Sequence, residues 1–267
     1  MINRPSLQLR ILVVPIYLYL LLPMLVVVLF SFSSKSYFTF PPTGFSLRWY
    51  RAAWELGTFG RPALLSILLA FVATALAAAV AVPAALALRK LRRSALTRAL
   101  EFVLLSPLVV PALIIGIGLL YFFLRLDLID TLPALVASHT LLVFPFMFRS
   151  VLLGVFEIRP ELEEASEVLG ASPWQTFRNV ILPALTPGIT SGAIFAFIVS
   201  FDQFTVSLFV TQSNQTTLPV ALYRYVYDVN DPVAAAVSSV LVVLGFLIAL
   251  GLQRAGLLKH VGGRSAG

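Results

Sequence analysis

Glu157-Ile-Arg-Pro160-Glu-Leu-Glu-Glu-Ala-Ser-Glu-Val-Leu-Gly170-Ala-Ser-Pro-Trp-Gln-Thr-Phe-Arg-Asn-Val-Ile-Leu-Pro183 carries start and stop signals that no other polar segment of the 267-residue chain carries. Pro160 fits the first position of a helix, and Glu161, Glu163 and Glu164 lie in or near a first turn, where the helix dipole favours negative charge. Gly170 is placed to end that helix. Ser172 then caps a second one, with Pro173 at its first position and Gln175 completing a capping box. The segment therefore predicts a helix, a glycine turn and another helix. Within the first helix Leu162, Ala165, Ser166 and Leu169 fall on one small, apolar face, opposite the glutamates. A helix lying on lipid headgroups normally carries Lys and Arg, and four glutamates facing an anionic leaflet are repelled. The groove of a soluble partner suits this face better.

Outward from this segment the sequence is apolar in both directions. Some 59% of residues are hydrophobic, 12% are charged and mean hydropathy is +0.95, well outside the range of a water-soluble enzyme. Six apolar spans cover residues 11–32, 64–88, 102–124, 132–152, 185–209 and 233–252. They predict an all-α polytopic membrane protein in which residues 1–267 form one transmembrane domain and 157–183 is its structured loop. The first span is longer than a signal-peptide core and no small-residue cleavage site follows it, so it is expected to be retained.

Orientation follows from basic residues. Thirteen Lys and Arg fall on one side: Arg4, Arg10, Arg89, Lys90, Arg92, Arg93, Arg98, Arg149, Arg159, Arg178, Arg254, Lys259 and Arg264. Six fall on the other, Lys35, Arg48, Arg51, Arg61, Arg125 and Arg224, so both termini are expected in the cytoplasm. The cluster Arg89 to Arg98 reads as a topology anchor at anionic headgroups. The net charge of +7 thus reflects topology, and no separate basic domain points to nucleic acid. Pro15, Pro23, Pro83, Pro107, Pro111, Gly116, Gly118 and Pro145 interrupt the spans, as in bundles with irregular helices. Ala73, Ala77, Ala78, Ala79 and Ala81 permit close helix approach in the second.

Glu164-Ala165-Ser166, three residues, Gly170, nine residues, Val180, one residue and Leu182-Pro183 resemble the EAA loop of permease subunits of binding-protein-dependent ABC importers. Every spacing of the pattern E-A-A, x3, G, x9, I, x, L-P is kept, with Ser166 for the second Ala and Val180 for Ile. The resemblance implies a type I (MetI-like) importer transmembrane domain in a bacterial inner membrane. It also implies that Glu164, Ala165, Ser166, Leu169, Gly170, Leu182 and Pro183 couple it to an ATP-binding subunit. Ser46-Leu-Arg-Trp-Tyr50, Pro107 to Gly116, Ser200 to Phe209, Thr217-Leu-Pro219 and Asp231-Pro232 are similar to the spermidine/putrescine permease subgroup. That resemblance implies a polyamine solute, with a homodimer of ATP-binding subunits, a second, paralogous permease and a periplasmic solute-binding protein as partners. Permeases of this kind also serve amino-acid derivatives, opines, phosphonates and iron.

Chemistry of other kinds is missing from the sequence. No phosphate loop, zinc-protease, serine-hydrolase or calcium-loop pattern occurs, so neither a catalytic residue, a metal site nor a cofactor is expected. Without cysteine there are no disulfides. His139 beside Ser138 is read as a packing or hydrogen-bonding residue, since adjacent helical residues do not face each other; His260 lies in a tail. Asp202 is the one clear intramembrane carboxylate. Either it reaches a vestibule or pairs with Arg125 or Arg224, or it attracts a cationic solute beside the ring faces of Phe201 and Phe204. In an unbroken helix Phe201, Phe204 and Thr205 share a face and Asp202 turns from its centre. Tyr223, Tyr225 and Tyr227, near Asp228 and Asp231, fit either an aromatic belt or a docking surface for a binding protein, with Arg224 a partner for one acid. A self-contained secondary transporter is the rival reading, disfavoured by the lack of an internal repeat.

Overall fold

The computed structural model describes residues 7–254 apart from 38, 40, 43, 92, 93 and 230. Arg4, Arg92, Arg93, Lys259, His260 and Arg264 lie outside the described residues. Among the described residues all regular structure is helical. The helices are α1 (Leu7–Ser31), α2 (Arg48–Leu56), α3 (Gly60–Lys90), α4 (Ala95–Leu105), α5 (Ala112–Arg125), α6 (Leu132–Glu157), α7 (Pro160–Val168), α8 (Pro173–Thr176), α9 (Leu182–Phe201), α10 (Thr205–Val210), α11 (Leu218–Asp228) and α12 (Val233–Arg254).

Four helical runs are long and apolar enough to cross a membrane: Val13–Ser31, Gly60–Lys90, Leu132–Glu157 and Pro173–Phe201. Two expected spans differ from a single helix. The third is bent by 94° between α4 with its 3-10 extension Ser106–Leu108 and α5. Pro107 and Pro111 are the cause: Pro111 stands at ψ 133°, outside helical space, and contributes no N–H to carry the ladder across. The fifth span begins earlier than expected and ends earlier. The loop's second helix, α8, runs through a π turn at Phe177–Ile181 directly into α9, and the helix then stops at Phe201. Pro183 explains the π turn, because its ring crowds the carbonyl four residues back and the ladder widens to accommodate it. In α12 the apolar stretch is shorter, Val233–Ile248.

The chain forms two compact units, Gly60–Ala221 and residues 7–59 together with Leu222–Gly251. In the larger unit Ala73, Ala77, Ala81 and Ala85 make a fully buried stripe on α3, four residues apart. The stripe packs with Val143, Met147, Phe148 and Val151 of α6 and Leu185 and Ala196 of α9. Lipid tails are as apolar as these side chains, so close packing rather than water exclusion holds the three helices together. Helix α9 meets α6 through Gly188 and Gly192. A Cβ on Gly192 would stand 2.9 Å from the Met147 sulfur, and one on Gly188 3.0 Å from the Ser150 carbonyl. The Ser150 hydroxyl donates to the Gly188 carbonyl at 2.9 Å, which seals the approach.

A second apolar cluster joins Phe123 of α5, Ala134 and Leu142 of α6 and Val206 and Val210 of α10. Beside it, Asp130 has a left-handed backbone (φ 59°) and accepts four backbone N–H groups. Gln212 and Gln215 donate to one carboxylate oxygen at 2.8 and 3.2 Å, and Ser213 and Asn214 to the other at 3.1 and 2.9 Å. The smaller unit is tied by the Tyr50 hydroxyl, 2.7 Å from Ser31 Oγ and 2.8 Å from Ser239 Oγ, and by Trp49 Nε1 donating to the Ser33 carbonyl.

Candidate functional site

The acidic elbow forms as its punctuation predicts. Helix α7 starts at Pro160 and closes at Leu169, and Gly170 takes φ 82°, its N–H bonded to the Glu167 carbonyl at 2.9 Å. The Ser172 hydroxyl accepts from the Gln175 N–H while the Gln175 side chain accepts from the Ser172 N–H at 2.7 Å. Which face points outward differs from the expectation in two respects. Ser166 turns inward, its hydroxyl 3.0 Å from that of buried Thr176. Glu163 also turns inward, to the guanidinium of Arg89 at the end of α3. Arg89 donates its other arm to the Ile158 carbonyl at 3.1 Å, so it grips both ends of the turn into α7 besides belonging to the basic cluster. Glu164 and Ala165 are exposed, as are Leu162, Val168 (87%) and Leu169 (86%). Further on Leu182 and Pro183 are exposed, and Trp174 stands out beside Phe177.

The second candidate region is the interruption at residues 202–204. Phe201 ends α9 and stacks on Phe197, Asp202 caps the helix, and Thr205 opens α10. The helical face expected to join Phe201, Phe204 and Thr205 therefore does not exist. The backbone turns between them instead, and Asp202 is left exposed. Among the described residues Asp202 forms no ion pair, so Arg125 does not neutralise it. Buried behind the interruption, His139 of α6 lies 2.9 Å from both Ser200 Oγ and Ser207 Oγ. Ser138, its neighbour in sequence, donates instead to the Ala134 carbonyl.

Residues 77–255 match the family described as "Binding-protein-dependent transport system inner membrane component", a stretch that contains both the elbow and the interruption. The chain is a member of that family. Named relatives cover more of the chain. A Salmonella typhimurium permease protein named for 2-aminoethylphosphonate transport, PhnV, is 30% identical over 85% of this chain and 86% of its own length. The molybdenum transport system permease protein ModB of Mycobacterium tuberculosis is 35% identical over 71% of this chain and 76% of its own. The spermidine/putrescine transport system permease protein PotC of Haemophilus influenzae is 28% identical over 77% and 79%. In fold, the chain superposes with TM-score 0.73 on a chain of a bacterial ABC transporter involved in alginate import, covering 94% and 99% of the two at 17% identity.

The permease is accordingly a transport subunit rather than an enzyme, an integral component of a bacterial inner membrane. Its named relatives move unlike solutes, so family membership does not select a polyamine. Sequence reading singled out neither Arg89 as a brace for the elbow nor Asp130 as a clamp. An (i, i+4) pattern announces a contact within one helix, whereas these contacts join residues 74 and more than 80 apart. In α11 the Tyr225 hydroxyl donates to Asp231 at 3.0 Å. Burial, that hydrogen bond and the carboxylate's charge push the phenol up to about 12. The expected ion pair of Arg224 with a nearby acid does not form among the described residues.

Proposed function

We propose that the permease forms half of the translocation path of an ATP-driven importer, with six spans and both termini in the cytoplasm. The four long helices, the bent pair α4–α5 and α12 supply the six. Helix α7 is the lever, seated in a cleft of an ATP-binding subunit through Leu162, Ala165, Val168 and Leu169, with Glu164 at its rim. The observation that carries this reading is the outward exposure of those apolar residues on a helix whose inner side is already bonded to its own chain. Leu182 and Pro183 begin the helix that delivers the movement to the interruption. A homodimer of ATP-binding subunits, a second, paralogous permease and a periplasmic binding protein complete the assembly.

The solute is an aliphatic amine, a polyamine before others. Asp202 supports this: an exposed carboxylate that forms no ion pair among the described residues, beside Phe201, suits an ammonium group. Two of the three named relatives carry names for solutes that bear an ammonium group, spermidine/putrescine and 2-aminoethylphosphonate. Because the native chain has no cysteine, an Ala165→Cys variant holds a single thiol. It should crosslink to the ATP-binding subunit in membranes that take up labelled putrescine. Uptake without any such adduct removes the lever.

A further inference from the structure

His139 is 1% exposed, and both its ring nitrogens are engaged. The direction of each bond can be worked out from the hydroxyls. Ser207 Oγ lies 2.7 Å from the Gln203 carbonyl, which only accepts, so its single proton is spent there. Ser207 must then accept from the ring, which fixes the proton on Nε2. In the neutral imidazole Nδ1 is left as an acceptor, and the Ser200 hydroxyl donates to it. Ser200 to His139 to Ser207 to Gln203 is thus a one-way chain in which every donor has one acceptor.

This chain joins the last turn of α9 to the first turn of α10 across residues 202–204. Ser200 and Ser207 are seven residues apart, a separation that advances about 10.5 Å in an uninterrupted α-helix. Two contacts of 2.9 Å on either side of one imidazole ring reach roughly 8 Å. The ring therefore holds the two hydroxyls closer together than an uninterrupted helix would place them. Its far end also occupies the Gln203 carbonyl, which has lost its regular place in the ladder.

We propose that His139 is a positioning residue that sets the interruption in the fifth span, and through it the exposure of Asp202. The inference rests on the reading of Asp202 as part of the solute path. It is tested in the assembled importer with Asp202→Cys as the one thiol of this chain and a cationic methanethiosulfonate reagent, the modification rate of this chain being followed by its mass. Three backgrounds are compared: native His139, His139→Leu and His139→Gln. Glutamine offers one acceptor and one donor and should stay within about twofold of the native rate, whereas leucine, which offers neither, should change it at least fivefold. A Leu96→Cys thiol, exposed on α4, should react alike in all three. An unchanged rate with leucine overturns the proposal. So does a change that glutamine fails to restore, or one that Leu96→Cys shares, since volume or general loosening then accounts for it. Failure of the underlying path reading is visible separately, as full putrescine uptake by Asp202→Asn.

Discussion

Two glycines mark two ways of building this permease. Gly192 lies where α9 presses on α6, in ordinary helical backbone, and what it lacks is room: a Cβ would reach the Met147 sulfur at 2.9 Å. Gly170 lies at the elbow, where a Cβ would meet nothing within 4 Å, and what it needs is its positive φ of 82°. The larger unit packs densely within itself, its alanine stripe sealed against α6 and α9. The elbow is incomplete: its inward polar groups are bonded, while Leu162, Val168 and Leu169 face outward. Residues that close against their own chain serve packing, and residues that stay open wait for another.

Gly192→Leu should have the largest effect of any substitution considered. Overpacking costs about 1–3 kcal/mol where neighbours can shift, and more where backbone is in the way. Here the Met147 Cα lies 3.3 Å from the new Cβ. The variant should lose its monodisperse peak in detergent and all uptake. Gly170→Leu should behave otherwise. Left-handed backbone costs a branched residue about 1–2 kcal/mol locally, so assembly and melting should be nearly native while solute moved per ATP hydrolysed falls at least tenfold. If Gly170→Leu lowers the melting temperature as far as Gly192→Leu, the contrast between a closed interior and an open elbow fails.

The contrast also explains what could be read from sequence. Elements written in local signals were legible: Pro160, Gly170, Ser172 and Gln175 each act within a few residues, and each stands where its signal puts it. The lengths of apolar stretches pointed to the four helices long enough to cross a membrane and to the bent pair, but not to where the third and fifth stretches would break. Pro107 and Pro111 announced the first break. No proline marks Asp202–Phe204; that break depends on His139, 61 and 68 residues before its two serines, and nothing local records such a partner. The same holds for Gly188 and Gly192, whose role appears only once α6 is beside them.

Asp130 extends the interior's logic to a loop, with a smaller expected effect. Burial raises its carboxyl, but the N–H groups of Gln212, Asn214, Ser213 and Gln215 outweigh this and hold it below the ordinary carboxylate value of 3.8. A carboxylate favoured by the fold stabilises at every pH above its unfolded value, and the contribution is lost only as pH falls through the lowered folded value. Asp130→Asn tolerates the left-handed backbone, removes the charge and sets an amide NH2 donor against two of the four backbone N–H groups. Its melting temperature should fall by the same amount at pH 7 and pH 5. A difference from the native chain that disappears by pH 5 would mean that the four N–H groups do not hold the carboxylate in the membrane-bound protein.

The smallest effect tests how the elbow is braced. Glu163→Gln keeps an oxygen for Arg89 and removes the charge, and partly exposed ion pairs contribute under about 1 kcal/mol. Arg89 still donates to the Ile158 carbonyl, so α7 stays attached to α3. Solute moved per ATP should change by no more than about twofold in Glu163→Gln. Arg89→Gln loses both contacts of the guanidinium and should change it more. Should Glu163→Gln instead match Gly170→Leu, then charge and not turn geometry orients the lever. The elbow would then resemble the interior, with its decisive contacts made inside the chain and only a passive surface offered to the motor.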